Sequence, residues 1–185
     1  MFRSIVSATL LTLMPLMAHA TNVLTSFKPI QMIVTELTVG VTHPDVLMSN
    51  NASPHDYALK PSDVKKLHEA DLFVWFGPDL ESFLTKITEN RKNVLTISQI
   101  EGLELREYGD QQHDAHEGHD HGSHDAHFWL GVSQVKVVSK AIADKLIESD
   151  PENAGVYREN LVKFLENLAA TESEVIAILE PIKDK

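Results

Sequence analysis

The stretch LFVWFGP at residues 72–78 decides the fold of this chain. Its first five residues are large and apolar, which predicts a strand with two apolar faces, and the Gly-Pro pair ends that strand. Such a strand needs a cover on each side, as in a parallel sheet with helices on both faces. The sequence therefore predicts an α/β fold built around this strand.

Segments on either side of this strand complete the pattern. Short apolar stretches at residues 23–27, 46–48 and 94–97 predict three more strands. Apolar residues at helical spacing lie between the strands, at Ile30, Ile33, Val34 and Leu37, at Val64 and Leu67, and at Leu80, Phe83, Leu84 and Ile87. Alternating strands and helices predict right-handed βαβ units in a parallel sheet. No glycine pattern for binding a dinucleotide or a nucleoside triphosphate follows any of these strands.

The carboxyl-terminal third is helical in pattern. Val135, Val138, Ile142 and Leu146 predict one helix. The pair Asp150-Pro151 predicts the start of another, with Asp150 as its N-cap. Its apolar spacing continues to Pro181, which corresponds to about 30 residues and roughly 45 Å.

The composition excludes several classes of protein. Among 185 residues there are 16 Lys and Arg against 27 Asp and Glu, so the net charge is −11. Since like charges repel, we expect no nucleic-acid partner. Because the chain contains no Cys, disulfides and cysteine-bound metals are excluded. The length accommodates one domain, with or without an appendage.

Residues 1–20 have the pattern of a signal peptide. Arg3 precedes an apolar run, and Ala18-His19-Ala20 is a cleavage motif. The apolar run is shorter than the roughly 20 residues that span a bilayer. We therefore expect export, cleavage after Ala20 and no insertion of the mature chain into a membrane.

Histidine is concentrated in one low-complexity segment. Residues 109–126 contain five of the ten His, interleaved with Asp, Glu and Gly: His113, His116, His119, His121 and His124. Imidazole and carboxylate are ligands for divalent metals. The glycines oppose a fixed helix, so we expect a flexible arm that binds several metal ions loosely. The alternative is a polar linker with incidental His.

Two other histidines are candidates for fixed ligands. His127 immediately precedes the apolar Phe128-Trp129-Leu130, where ordered packing should resume. His55 lies in the loop after the second predicted strand, and the carboxyl ends of parallel strands are where such sheets bind ligands. His55 on its own could equally be an exposed loop residue. We expect His43 and His68 to be surface residues.

Four segments together resemble a known family. Residues 52–63, ASPHDYALKPSD, are similar to the PHxYxxxPSD segment of the metal-binding proteins of zinc and manganese ABC importers. Residues 70–78 resemble the strand that follows it, and residues 124–130, HDAHFWL, resemble the DxHxWL segment. Residues 150–165 resemble the start of the helix that joins two lobes. The acidic, His-rich insert is typical of the ZnuA-like zinc branch.

The resemblance implies a function as well as a fold. It implies that His55 and His127 bind Zn(II) in a cleft between two α/β lobes bridged by a rigid helix. The zinc ion would be cargo, delivered in the periplasm to the membrane permease of an ABC importer. No organic cofactor and no enzymatic activity are expected.

The expected organisation has six parts. They are a signal peptide at 1–20, an α/β amino-terminal lobe at 21–108, a His- and Asp-rich metal-binding loop at 109–126, the end of the lobe with a helix at 127–149, a long linker helix at 150–180 and a truncated tail at 181–185.

The chain also departs from the family pattern. The family's third His and a late carboxylate come from the second lobe, and this sequence ends where that lobe should begin. Pro54 precedes His55, where some zinc-binding members have an acidic residue. A tight zinc site normally has three or four protein ligands. We therefore expect an amino-terminal piece of a longer protein, with weaker zinc affinity than the whole.

Three alternatives stay open on the sequence alone. Manganese is the second candidate ion, although it tolerates more carboxylate than an imidazole-rich site offers. A zinc buffer or metallochaperone without coupling to transport is the second candidate role. A zinc hydrolase is the third, but it lacks an H-E-x-x-H motif and has only Asp56 as an acid beside His55.

Overall fold

A computed structural model describes residues 21–49, 52–107 and 124–183. Four parallel strands form one sheet in the order β2-β1-β3-β4. They are β1 at Val23–Thr25, β2 at Asp45–Val46, β3 at Leu72–Trp75 and β4 at Val94–Thr96. The predicted α/β class with a parallel sheet is confirmed. The predicted signal peptide lies outside the described residues.

In the described ranges, five α-helices surround and extend the sheet. They are α1 at Lys28–Leu37, α2 at Pro61–Glu69, α3 at Thr85–Thr88, α4 at Val132–Ser149 and α5 at Ala154–Leu179. A proline occupies the first turn of both α1 and α2, where its missing N–H leaves no hydrogen bond unmade. In the part of the chain that the structure describes, no helix is both long and apolar enough to cross a bilayer.

Strand β3 separates two apolar cores, as its sequence predicts. Leu72 and Val74 pack into the core that contains α1, α4 and the start of α5. Phe73 and Trp75 pack on the opposite face, in the core that contains Leu67 of α2. Each fully buried side chain of this size stabilises the fold by about 1.5–3 kcal/mol. Burial on both faces therefore fixes this strand at the centre of the sheet.

The predicted helix around residues 80–87 is much shorter in the structure. A 3-10 turn at Ser82–Leu84 precedes the four-residue α3. The cause is the buried carboxyl of Glu81, whose Oε2 accepts the backbone N–H of Phe76 at 2.8 Å and holds the chain in a turn. Leu84 is buried as predicted, although the helical face that contains it is not continuous.

The long helix starts later than its sequence pattern predicts. A 3-10 turn at Pro151–Asn153 separates Asp150 from α5. The Asp150 carboxylate does not cap a helix: it accepts hydrogen bonds from the Tyr157 hydroxyl at 2.7 Å and from the Asn153 amide at 2.9 Å. The 26 residues of α5 span about 39 Å. Its last turns expose apolar side chains, including Ile176 and Ile178.

Candidate metal centre

The order of the strands places a crevice between β1 and β3. The chain leaves β1 toward β2 on one side of the sheet and later crosses to β3 on the other side. Ligands bind at the carboxyl ends of strands at such a switch point. Phe27 follows β1 and Phe76 follows β3, so these two residues mark the floor of the crevice.

Aromatic packing positions His127 above this floor. The 3-10 turn at Phe128–Leu130 stacks the Phe128 ring on Phe76, with ring centroids 6.1 Å apart. The neighbouring Trp129 meets Phe27 edge-on at 5.2 Å. The His127 imidazole lies against Trp129, with ring centroids 5.0 Å apart. The packed segment after His127 therefore holds its backbone at the switch point, while its ring stays partly exposed.

Asp125 determines which nitrogen of His127 can bind a metal ion. Its Oδ1 lies 2.6 Å from the His127 Nδ1 and also accepts the His127 backbone N–H at 3.0 Å. The backbone hydrogen bond from His127, and then the one from its ring, keep the pKa of Asp125 below its usual value. An ionised carboxylate only accepts hydrogen bonds, so Nδ1 carries the proton and Nε2 presents a lone pair.

His55 comes to the same place from a distant part of the chain. Its ring centroid lies 6.2 Å from that of His127, with an angle of 40° between the rings. Two imidazoles on one tetrahedral zinc ion, with Zn–N bonds of about 2.1 Å, have centroids roughly 5 Å apart. The two rings therefore lie within about 1 Å of the separation that a shared ion requires.

A hydrogen-bonded turn supports the loop that carries His55. The Asp63 carboxylate accepts the Tyr57 hydroxyl at 2.9 Å and the Lys60 backbone N–H at 2.8 Å, which caps the start of α2. Tyr57 also packs on Phe83, with centroids 5.6 Å apart. The Tyr and Asp of the PHxYxxxPSD-like segment therefore have a structural role: they tie the His55 loop to a helix.

Among the described residues, His55 and His127 are the two candidate ligands that come together. Across residues 21–49, 52–107 and 124–183, no group of three or more His, Cys, Asp or Glu is placed to hold one metal ion. An ion held by His55 and His127 keeps two tetrahedral positions for water or for other ligands.

The histidines of the predicted arm are mostly outside the described residues. His113, His116, His119 and His121 lie there, whereas His124 is at the base of the arm. Residue 124 pairs with Glu107 in an antiparallel bridge, and its Nε2 lies 3.9 Å from the Glu107 carboxylate. The Asp125 N–H donates to the Arg106 carbonyl at 2.7 Å. The base of the arm is thus joined directly to the segment that carries His127.

Two other histidines lie on the surface as predicted, and one carboxylate near His127 has a role that its sequence position did not indicate. His43 and His68 are exposed, as expected for surface residues. Asp125 belongs in sequence to the predicted arm at 109–126, but its carboxylate orients His127. The Asp-x-His spacing was the signal that could have identified it, because a carboxylate two residues before a His can reach both its ring and its backbone N–H.

Comparisons with known proteins give consistent matches. The family model "ZnuA: Zinc-uptake complex component A periplasmic" matches residues 23–185. The high-affinity zinc uptake system protein ZnuA of Yersinia pestis is 32% identical, over 99% of this chain and 64% of the relative. The protein of the same name from Haemophilus ducreyi is 37% identical, over 89% of this chain and 59% of the relative.

Solved structures agree with these sequence relatives. A zinc-bound deletion mutant of ZnuA superimposes with a TM-score of 0.74 at 29% identity, covering 88% of this chain and 60% of that one. AdcAII of Streptococcus pneumoniae gives a TM-score of 0.72 at 25% identity, covering 90% of this chain and 59% of that one. The chain spans about three fifths of the length of these relatives.

Proposed function

The chain belongs to the ZnuA family of periplasmic zinc-uptake components, and we propose on this premise that it captures Zn(II) in the periplasm and delivers it to the membrane permease of an ABC importer. The observation that carries the proposal is the approach of His55 and His127, whose ring centroids lie 6.2 Å apart at the switch point of the sheet. The proposed role is binding rather than catalysis, as the names of the relatives suggest.

The chemistry of the two side chains favours zinc. Neutral imidazole is a good ligand for Zn(II), and the Asp125 carboxylate orients the His127 ring. Manganese prefers more oxygen ligands than these two rings provide. Zn(II) is therefore the proposed cargo.

Capture and release proceed by exchange of ligands. In this proposal the arm at 109–126 collects the ion with His113, His116, His119, His121 and His124, and passes it to His55 and His127. The position of His124 at the base of the arm, three residues before His127, keeps the two sets of ligands close. Two unfilled coordination positions let the ion leave the fixed site quickly, because few bonds need to break.

Competition titration of zinc against a chelator tests the fixed site. All measurements use a parent variant in which the five arm histidines are replaced by Gln. Zinc binding by the arm then does not mask zinc binding by His55 and His127. There, His55→Gln and His127→Gln should each weaken the zinc affinity by tenfold or more, because half of the protein ligands are lost. His68→Gln, an exposed His far from the site in sequence, is the matched control. Equal affinity in all variants would refute the proposal.

Delivery requires a second experiment. A pull-down of the permease with the full chain should depend on zinc loading if the chain supplies an importer. A chain that binds zinc but never retains the permease would instead be a buffer or metallochaperone.

A further inference from the structure

Thr21, the residue after the predicted cleavage motif, is buried in the folded chain. Its exposed fraction is 7%, although it lies ahead of the first strand, β1. The first residues of a domain are usually poorly ordered unless the fold ties them down. The surroundings of Thr21 therefore bear on what cleavage after Ala20 creates at this place.

The neighbouring Asn22 fixes the backbone next to Thr21. The Asn22 N–H donates to an Asp71 carboxylate oxygen at 2.8 Å, and the Asp71 N–H donates to the Asn22 carbonyl at 2.9 Å. The Asn22 side-chain amide donates to the Glu69 carbonyl at 3.1 Å. Backbone bond lengths keep the nitrogens of Thr21 and Asn22 within about 4 Å of each other, so the Thr21 nitrogen lies within about 7 Å of the Asp71 carboxylate.

Thr21 lines a cavity of about 420 Å³ at the amino ends of the strands. Asp71 and Asn93, which immediately precede β3 and β4, also line it, together with Glu148 and Ser149 at the end of α4. Of these described residues, two are acidic and none is basic. The candidate metal site lies at the carboxyl ends of the strands, so this cavity is on a different face of the lobe.

The end of α4 adds a second attraction for a positive charge. The last carbonyls of a helix have no partners within the helix and form the negative end of its macrodipole. Ser149 is the last residue of α4, and Glu148 precedes it. The Glu148 Oε2 accepts from Lys145 at 2.8 Å, and a carboxylate can accept from a second cation as well. Two carboxylates and a helix carboxyl terminus therefore meet at one cavity, which favours a cation there.

Cleavage after Ala20 creates a cation at the wall of this cavity. Hydrolysis of the Ala20–Thr21 bond by a signal peptidase consumes one water molecule, leaves a carboxylate on Ala20 and gives Thr21 a free α-amine. An α-amine has an ordinary pKa of about 7.7–8.0, so at neutral pH it is mostly an ammonium. In the uncleaved chain the same nitrogen is an amide without charge.

We propose that the cavity is a docking site for the chain's own α-ammonium: cleavage after Ala20 places a positive charge on Thr21, and the Asp71 and Glu148 carboxylates and the carboxyl end of α4 bind it. Cleavage precedes folding, because Thr21 is buried in the folded chain. Removal of the signal peptide then stabilises the fold, and the uncleaved chain lacks this stabilisation. The inference does not depend on zinc binding.

The first experiment locates the cleavage site. The full chain of 185 residues is expressed in cells that export it, and mass spectrometry of the protein recovered from the periplasm identifies its first residue. We expect this residue to be Thr21. Any other first residue overturns the proposal, because the ammonium then does not lie at the cavity.

The second experiment measures how strongly the cavity holds the α-amine. Only a neutral amine reacts with an acylating reagent, so ion pairs to the ammonium slow the reaction. A variant with Thr-Ser inserted after Ala20 again begins with Thr but moves the amine away from the cavity. At about pH 7.5, Thr21 of the exported chain should be acylated about three- to tenfold more slowly than the first residue of this variant, as measured by peptide mass spectrometry. Equal rates contradict the proposal.

Burial alone also slows acylation, and two variants of unchanged shape separate burial from charge. Asp71→Asn and Glu148→Gln each remove one carboxylate and should raise the acylation rate of Thr21 by about twofold or more. Glu101→Gln, exposed beyond the carboxyl end of β4, is the matched control and should leave the rate unchanged. Rates that respond to neither variant at the cavity overturn the proposal. If Asp71→Asn does not fold, Glu148→Gln at its exposed site decides the test.

Thermal unfolding measures the contribution of the ammonium to stability. The Thr-Ser insertion should lower the Tm at neutral pH by roughly 2–4 °C, the shift expected from one partly exposed charge site in a domain of this size. Glu148→Gln should lower the Tm of the exported chain, but it should lower that of the insertion variant by less, because the ammonium is then absent from the cavity. Losses of Tm that simply add in the double variant contradict the proposal.

Discussion

A single neighbouring side chain determines which nitrogen of His127 is available for the proposed zinc ion. Asp125 accepts from both the ring and the backbone of His127 through one carboxylate oxygen. Both bonds are stronger to the ionised carboxylate, and they therefore lower the pKa of Asp125. The stabilisation that they give is present above the ordinary Asp pKa of 3.8 and is lost as the pH falls through the lowered pKa. At neutral pH the orientation of His127 is therefore fixed.

Replacing Asp125 by Asn should weaken zinc binding. The amide cannot accept as strongly from Nδ1 and lets the imidazole adopt the other tautomer. We expect a loss of about 10- to 100-fold in zinc affinity, measured by competition with a chelator. Asp56→Asn, beside His55 but exposed, should change the affinity by less than about threefold. An unchanged affinity in Asp125→Asn would show that the carboxylate does not orient a ligand.

Zinc affinity should also fall in acid. Metal binding requires neutral imidazole, and free His has a pKa of about 6.5. With two imidazole ligands, the apparent affinity should drop by up to about 100-fold per pH unit below this value. Titrations between pH 5 and 7.5 measure this slope. Full affinity at pH 5 would argue against ligation by His.

At the scale of elements, the apolar pattern of β3 correctly predicts how the strand is buried. An unbroken apolar run predicts burial on both faces of the strand. In the structure, Leu72 and Val74 are buried in one core. Phe73 and Trp75 are buried in the other core. The short α3 shows the limit of such patterns. Leu80, Phe83 and Leu84 have helical spacing, but the buried Glu81 ends that regularity through a contact with the backbone.

Truncating the centre of β3 should destabilise the fold. Phe73 is completely buried, so Phe73→Ala leaves a cavity and should lower the free energy of unfolding by about 3–5 kcal/mol. Denaturant unfolding of the metal-free chain measures this loss. Met32→Ala, at a side chain that is 60% exposed, should cost less than about 1 kcal/mol. A small effect at Phe73 would mean that the second core is loosely packed.

A buried amide of helix α5 is hydrogen-bonded to the carboxyl end of α1. The Asn160 Nδ2 donates to the carbonyl of Leu37, the last residue of α1, at 3.1 Å, and to that of Val39, two residues later, at 2.9 Å. Asn160→Ala leaves both carbonyls without this donor and should cost about 1–3 kcal/mol of stability in the same unfolding experiment. Asn167→Ala, exposed on the same helix, is the matched control and should have little effect.

At the scale of the whole molecule, the metal site joins separate parts of the chain. His55 belongs to the loop between β2 and α2, whereas His127 precedes α4. An ion that binds both is bound only by the folded chain, because the unfolded chain does not hold these two residues together. Binding energy therefore adds to the stability of the fold.

Zinc should raise the thermal stability of the chain. A free zinc concentration of 100 times Kd stabilises the folded state by about 2.7 kcal/mol, which corresponds to a rise in Tm of roughly 5–10 °C. Calorimetry with and without zinc measures the shift, and a chelator should reverse it. His55→Gln and His127→Gln should abolish it, whereas His43→Gln should retain it. A shift that survives loss of both ligands would place the stabilising ion elsewhere.

The sequence by itself determined the parallel α/β lobe, the long carboxyl-terminal helix and the two candidate ligands. These follow from periodicity and from residue types at fixed spacing, which are local properties of a chain. The tertiary structure alone decided that His55 and His127 lie 6.2 Å apart, that Asp125 orients one of them and that the Glu81 carboxyl is completely buried. Distances between remote residues depend on how elements pack, and that packing is set by the summed contacts of many side chains rather than by any local pattern.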